Sequence, residues 1–229
     1  MLRNPLLCRG QGEAKRKMNK KIYIVRHGET EFNKLRVVQG SGVDCGLNEM
    51  GRIQAAAFYN AYKNFSFDKI YISQLLRTQE TVQQFIDDGI PFEKLEGLNE
   101  ISWGKYEGQP HTMEFDAEYW QRVADWKNGL LDLPIHQGES PNQLAARQKI
   151  ALDFIMKNEK EKNILICMHG RAIKSFLCVL QNISLTHMDD FEHRNLGLYS
   201  FIFDGKIFEM QMRNDAAHLT GIDVVNDIT

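Results

Sequence analysis

The chain reads as an α/β protein, a three-layer α/β/α sandwich with a mostly parallel central sheet, on three observations. Apolar runs of strand length alternate with stretches of helical periodicity, the pattern of a parallel sheet covered on both faces. Two short apolar strands, residues 22–25 and 164–168, each run straight into a His-Gly pair, His27-Gly28 and His169-Gly170. The 229 residues, 43% hydrophobic and 25% charged, suffice for one sizeable core without a split into two domains.

Each element has its own local signal. The first strand, IYIV, ends at Arg26, and Asn48 can cap a helix running to about Lys63. Residues 69–72 form the next strand, after which Ser73 is expected to cap the helix that carries Arg77. Phe115, Tyr119, Val123, Trp126 and Leu130 recur at helical spacing, with Gly129 as a terminator. Ser140-Pro141-Asn142-Gln143 combines a cap, a first-turn proline and the glutamine of a capping box, opening a helix to about Asn158. The strand at 164–168 follows, and Ile173, Phe176, Leu177 and Leu180 give the next helix its buried stripe. Residues 196–203 and 206–212 then read as two strands around a tight turn at Asp204-Gly205.

In an open α/β sheet ligands gather at the carboxyl ends of parallel strands, so His27 and His169 can meet although they are 142 residues apart. Gly28 and Gly170 remove a side chain where backbone and ligand would approach closely. Arg26 adds fixed positive charge beside His27, and the first amides of the helix after Gly170 would add an anion site. Together these features point to phosphate chemistry on histidine.

Here the resemblance becomes specific. RHGET at 26–30 is similar to the signature of the histidine phosphatase superfamily, the phosphoglycerate-mutase-like fold. Asn33 and Gln39-Gly40 stand where that family's first loop continues, and Asp44, Leu47, Gly51 and Gln54-Ala55 resemble its next stretch. Ser73 to Thr78 matches its S-x-L-x-R-[AT] motif, Leu98-Asn99-Glu100 with Gly104 and Glu107-Gly108 its acid-donor segment, and Gly138-Glu139-Ser140 and His169-Gly170 complete the series. The resemblance covers about residues 21 to 205, nearly the whole chain. Gly46 replaces a family proline and loosens a turn. Arg171 stands where many members have a small residue; it either reaches substrate or faces solvent on the first helical turn.

The resemblance implies a phosphomonoesterase of the phosphatase branch acting on a small phosphorylated metabolite. His27 is the expected nucleophile, because a neutral imidazole attacks phosphorus and the phosphohistidine is then hydrolysed in an easier second step. Its other ring nitrogen must donate to an acceptor, expected to be a backbone carbonyl. Arg26, Arg77 and His169 are expected around the transferring oxygens, with Asn33 as a neutral donor and Gly28 and Gly170 at the substrate. Glu100 is the expected acid for the leaving oxygen and base for water, kept protonated by burial beside the phosphate; Glu107 and Glu139 are its alternatives. A cap insertion over about 103–138 is expected to decide the substrate, and His111, Lys105 and Trp120 are its candidates to face the pocket. His111, His136, His187, His193 and His218 otherwise read as surface or structural residues. A cofactor-dependent phosphoglycerate mutase would share every catalytic residue, but only Arg122 occurs between Glu100 and Gly138, without the arginine-rich insert of the mutases. A non-catalytic phosphate-binding protein is the third reading, against which all motif residues are retained.

Charge and composition narrow the partners. A formal net charge of −2 leaves no electrostatic footprint for nucleic acid. No segment approaches eighteen consecutive apolar residues, so no membrane partner is expected. Cys8, Cys45, Cys167 and Cys178 show no metal-ligand spacing, which fits a reducing cytoplasm. No metal and no cofactor are expected; the partner is a small phosphate ester, and a homodimer is an admissible assembly. The first twenty-one residues carry seven Lys/Arg against one acidic residue. Residues 1–20 are expected to be a disordered extension to a domain spanning 21–229, with Met18 as an alternative start and a mitochondrial transit peptide as the functional alternative.

Overall fold

The computed structural model describes residues 20–222; the expected extension therefore lies outside the described residues except for its last member. Strand β1 (Lys20–Arg26) leads to a short helix α1 (Glu31–Lys34) and then to α2 (Glu49–Tyr62), β2 (Lys69–Ile72), α3 (Leu76–Asp87) and β3 (Phe92–Lys94). Helix α4 (Met113–Lys127) follows, then α5 (Pro141–Lys157), β4 (Asn163–Met168), α6 (Gly170–Gln181), β5 (Leu198–Phe203) and β6 (Phe208–Asp215). The six strands form one sheet in the order β3-β2-β4-β1-β5-β6. The first four pair in parallel, and β5 and β6 continue the sheet antiparallel.

Strand alternation sorts the core into two layers. Ile22, Ile24, Tyr71, Ile164 and Ile166 pack with Leu144, Ile155, Ile173 and Phe176 of α5 and α6 on one face. Val25, Ile70, Ile72, Leu165 and Cys167 pack with Phe58, Val82 and Phe85 of α2 and α3 on the other. The sandwich is thus the expected one, and its mostly parallel sheet is the expected sheet.

Several boundaries move, each for a local reason. Lys20 belongs to β1 and is fully buried, its Nζ donating to the carbonyls of Ile155 and Asn158 at 2.9 and 3.0 Å. A buried ammonium is tolerable there because it satisfies carbonyls at the end of α5 that would otherwise lack donors. Ser73 is not the cap of α3, whose N-cap is Leu75 with no side-chain hydrogen bond. Leu130 lies beyond α4, after Gly129 with φ +92°, and is half exposed. The strand expected from Leu196 begins at Leu198, because Leu196 has φ +55° and cannot continue an extended ladder. The cap helix α4 packs Phe115, Tyr119 and Trp126 into the first core layer. Two loops close beside it. Val38 N–H donates to Gln109, Gly108 N–H to Val38 and His111 N–H to Arg36, each at 2.9 Å.

Candidate active site

Register brings the two histidines together. Arg26 pairs with Met168 across β1 and β4, and the His27 N–H donates to the Met168 carbonyl at 3.0 Å, so both strands release a histidine at the same level. Their rings lie 5.2 Å apart at 57°. The pocket above them encloses about 80 Å³ and is lined by Arg26, His27, Asn33, Arg77, Glu100 and Gly170. Trp103, His111, Phe115 and Tyr119 line it on the cap side, and Arg36, Arg171 and His193 line it as well. Space on this scale takes a few water-sized groups, as a phosphoryl group with a small leaving group would require.

His27 is 3% exposed and its Nδ1 lies 2.7 Å from the Gly28 carbonyl. A carbonyl only accepts, so Nδ1 carries the proton and Nε2 keeps its lone pair. Burial, then the positive charges of Arg77 and Arg26, hold the His27 pKa well below its ordinary value and keep the ring neutral. The acceptor that the sequence could describe only as a carbonyl is the residue's own neighbour. Asn195 Nδ2 donates to the His27 carbonyl at 2.9 Å, fixing the backbone from the opposite side.

His169 sits one layer behind. It is fully buried and absent from the pocket lining; Nδ1 accepts from Arg77 Nε at 3.1 Å, which leaves Nε2–H to donate to Ser73 Oγ at 2.8 Å. Ser73 therefore orients a histidine rather than capping a helix. Burial, then Arg77, lowers the His169 pKa strongly as well. Arg77 Nη1 donates to the Val43 carbonyl at 2.7 Å, and Asn33 accepts at Oδ1 from the Thr30 N–H at 3.1 Å within the capping box of α1.

The helix amides expected to face an anionic ligand hold Glu100 instead. Its Oε1 accepts from the N–H groups of Ile101 and Ala172 at 2.9 and 2.8 Å, and its Oε2 from Arg171 N–H at 3.1 Å. Every one of these contacts is with an N–H donor, the pattern that suits a carboxylate acting as acceptor. The alternatives separate from it geometrically. Glu107 accepts from the N–H groups of Gly42 and Trp103 at 2.7 and 2.8 Å, and Glu139 forks onto Arg147 at 2.7 and 2.8 Å; neither lines the pocket.

The two glycines differ. Gly28 does not line the pocket, and a Cβ there would lie 2.7 Å from the Gly51 carbonyl oxygen, so it serves the approach of α2. Gly170 does line it, and a Cβ there would meet the ring of His193. His193, whose sequence context does not separate it from the other histidines, reaches the site and accepts from Arg26 at 3.3 Å. Of the cap candidates only His111 lines the pocket; Lys105 lies over the Tyr106 ring and Trp120 is half exposed. Among the described residues no group of three or more His, Cys, Asp or Glu is placed to hold a metal ion, and no helix is long and apolar enough to cross a membrane.

A sheet whose parallel strands end on two buried histidines, flanked by arginines under a helical cap, defines a phosphate-handling enzyme class. The chain belongs to the histidine phosphatase superfamily (branch 1), whose model matches residues 22–216. It is 26% identical over 200 residues to the Hydrogenobacter thermophilus protein named "Putative phosphoserine phosphatase 2", covering 87% of this chain and 97% of that one. It is 32% identical over 161 residues to the Yersinia pestis protein named "Probable phosphoglycerate mutase GpmB", covering 69% and 74%. The crystal structure of phosphoserine phosphatase in complex with 3-phosphoglyceric acid from Entamoeba histolytica superposes with a TM-score of 0.75 at 30% identity, covering 87% of this chain and 99% of that one.

Proposed function

We propose that the chain is a cytoplasmic phosphomonoesterase that hydrolyses a small phosphorylated metabolite through a phosphohistidine on His27, without metal or cofactor. The observation that carries this reading is the His27 tautomer: with Nδ1 committed to the Gly28 carbonyl, the neutral ring keeps its lone pair at Nε2. In the first step Nε2 bonds to phosphorus as the ester P–O bond breaks, and the departing oxygen takes a proton that Glu100 acquired with the incoming ester. In the second, Glu100 removes a proton from water, whose oxygen attacks phosphorus and breaks the P–N bond to release inorganic phosphate. Arg26 and Arg77 offset the charge of the transferring group. His169 acts through Arg77, whose Nε it anchors.

The similarity to a protein named as a phosphoglycerate mutase supports a second reading, transfer rather than hydrolysis. Arg122, the one arginine of the cap, is paired with Asp125 at 3.1 Å and does not line the pocket, which favours hydrolysis. Trapping decides the first point: enzyme quenched during turnover carries an acid-labile, base-stable phosphoryl label that the His27→Ala protein lacks. Label that survives acid, or persists in that variant, overturns the nucleophile. Stimulation of 3- to 2-phosphoglycerate conversion by 2,3-bisphosphoglycerate, faster than phosphate release, selects the mutase.

A further inference from the structure

Away from His27 the pocket wall has a consistent charge. The charged residues there are Arg36 and Arg171, set among Trp103, Phe115 and Tyr119, while the carboxylate of the pocket, Glu100, is occupied by backbone N–H groups. An ammonium-bearing leaving group would meet two cations. An anionic one would meet a prepared donor.

Arg171 is that donor. It is 4% exposed, its Nη1 donates to Asp189 Oδ1 at 2.7 Å, its Nη2 donates to the Tyr119 hydroxyl, and its guanidinium lies 5.5 Å from the ring centroids of both Tyr119 and Trp126. A planar fork held this way presents its donors with little further loss of side-chain freedom. Asp189 also accepts from Lys174 Nζ at 3.0 Å, so one carboxylate is shared by two cations and the cluster keeps an uncompensated positive charge. A tie between the cap helix α4 and the turn at residues 185–190 would need one ion pair, whereas here a second cation, Lys174, shares the same carboxylate. The backbone N–H of the same residue donates to Glu100, so the two residues adjoin on the pocket wall.

We propose that Arg171 is a specificity-determining residue that selects phosphate esters whose leaving group carries a second acidic group, a carboxylate close to the ester oxygen. The inference rests on the phosphomonoesterase reading and names the substrate class of the same site.

Three esters of similar size and different charge test it: phosphoglycolate, ethyl phosphate and O-phosphoethanolamine. The expected order of kcat/KM is phosphoglycolate, then ethyl phosphate, then O-phosphoethanolamine. Arg171→Met should lower the phosphoglycolate to ethyl phosphate ratio on the order of 10- to 100-fold, the worth of one charge-assisted hydrogen bond, and Arg171→Lys should restore part of it. Parallel losses that leave the ratio unmoved would assign Arg171 to structure alone and overturn the proposal. If Arg171→Met fails to fold, the wild-type order decides, and ethyl phosphate or O-phosphoethanolamine matching phosphoglycolate overturns it. Calorimetric binding of the three esters to the His27→Ala protein separates this proposal from the activity: preferential phosphoglycolate binding by an enzyme that hydrolyses none of them refutes only the phosphatase reading. Equal hydrolysis and equal binding of all three refute only the proposal.

Discussion

The ring of His193 occupies the space that Gly170 leaves open: a Cβ at Gly170 would fall 2.7 Å from His193 Cε1 and 3.0 Å from Nε2. The glycine after the second histidine is therefore required by another side chain of the pocket, not only by a ligand. Through His193 the effect reaches Arg26, whose guanidinium donates to His193 Nδ1.

Gly170→Ala should displace the imidazole and with it Arg26, lowering kcat/KM on the order of 10- to 100-fold, as small misplacements of a positioning group in an active site do. Removing the ring relieves the collision. In a double-mutant cycle Gly170→Ala with His193→Ala should therefore lose less than the sum of the two single losses. Strict additivity would show that the Cβ and the ring do not meet in solution.

That relationship marks the limit of what the chain discloses in one dimension. His27, Arg77 and Asn33 were legible because each sits in a short motif with a strand end or helix start beside it, and Glu100 through its motif resemblance alone; all four line the pocket. The layers were legible because strand alternation and helical stripes have different periods. His193 and Tyr119 carried no such signal, since a histidine in a loop and an aromatic on a helix have the same sequence context whether or not they reach a site. Gly28 and Ser73 show a different failure. Their residue types promised a ligand approach and a cap, but what each one touches, Gly51 and His169, lies 23 and 96 positions away and is fixed only by tertiary packing. Arg171 was ambiguous from sequence because the first turn of a helix can face solvent or core; the rings of Tyr119 and Trp126 decide it.

Glu100 can be tested through the leaving group. Glu100→Gln keeps one acceptor oxygen for the N–H groups of Ile101 and Ala172, at the cost of the acceptor facing the Arg171 N–H, while removing the proton that the proposed mechanism needs, so a thermal melt should accompany the kinetics. General acid catalysis is worth roughly 10²- to 10⁴-fold, and a loss of that order is expected for alkyl phosphates, whose alkoxide leaves poorly without a proton. The pre-steady-state burst with p-nitrophenyl phosphate should be slowed far less, because that phenolate leaves unaided. Glu107→Gln and Glu139→Gln, whose carboxylates bind loop N–H groups and Arg147, should affect both esters alike. Equal burst losses for both ester types in Glu100→Gln would remove it as the acid.

The two buried imidazoles also tie stability to pH. Burial and the neighbouring arginines depress the pKa of His27 and of His169 in the folded protein, whereas the unfolded chain titrates near the ordinary value of about 6.5. Below that pH the unfolded state binds protons that the native state refuses, so stability falls as the medium is acidified and is flat with respect to these groups above it. Each such group contributes a slope of up to about 1.4 kcal/mol per pH unit. Urea unfolding in phosphate-free buffers should therefore show stability decreasing from pH 6.5 towards pH 5, and His27→Gln should reduce that slope by about one group's share. Comparison of the two proteins cancels the carboxylates that titrate in the same range. The same depressed pKa keeps the proposed nucleophile unprotonated, so kcat/KM should show no acid limb from His27 near pH 6.5. An unchanged unfolding slope in His27→Gln would mean that the imidazole accepts a proton in the native state as readily as in the unfolded chain, and that the arginines beside it do not hold it neutral.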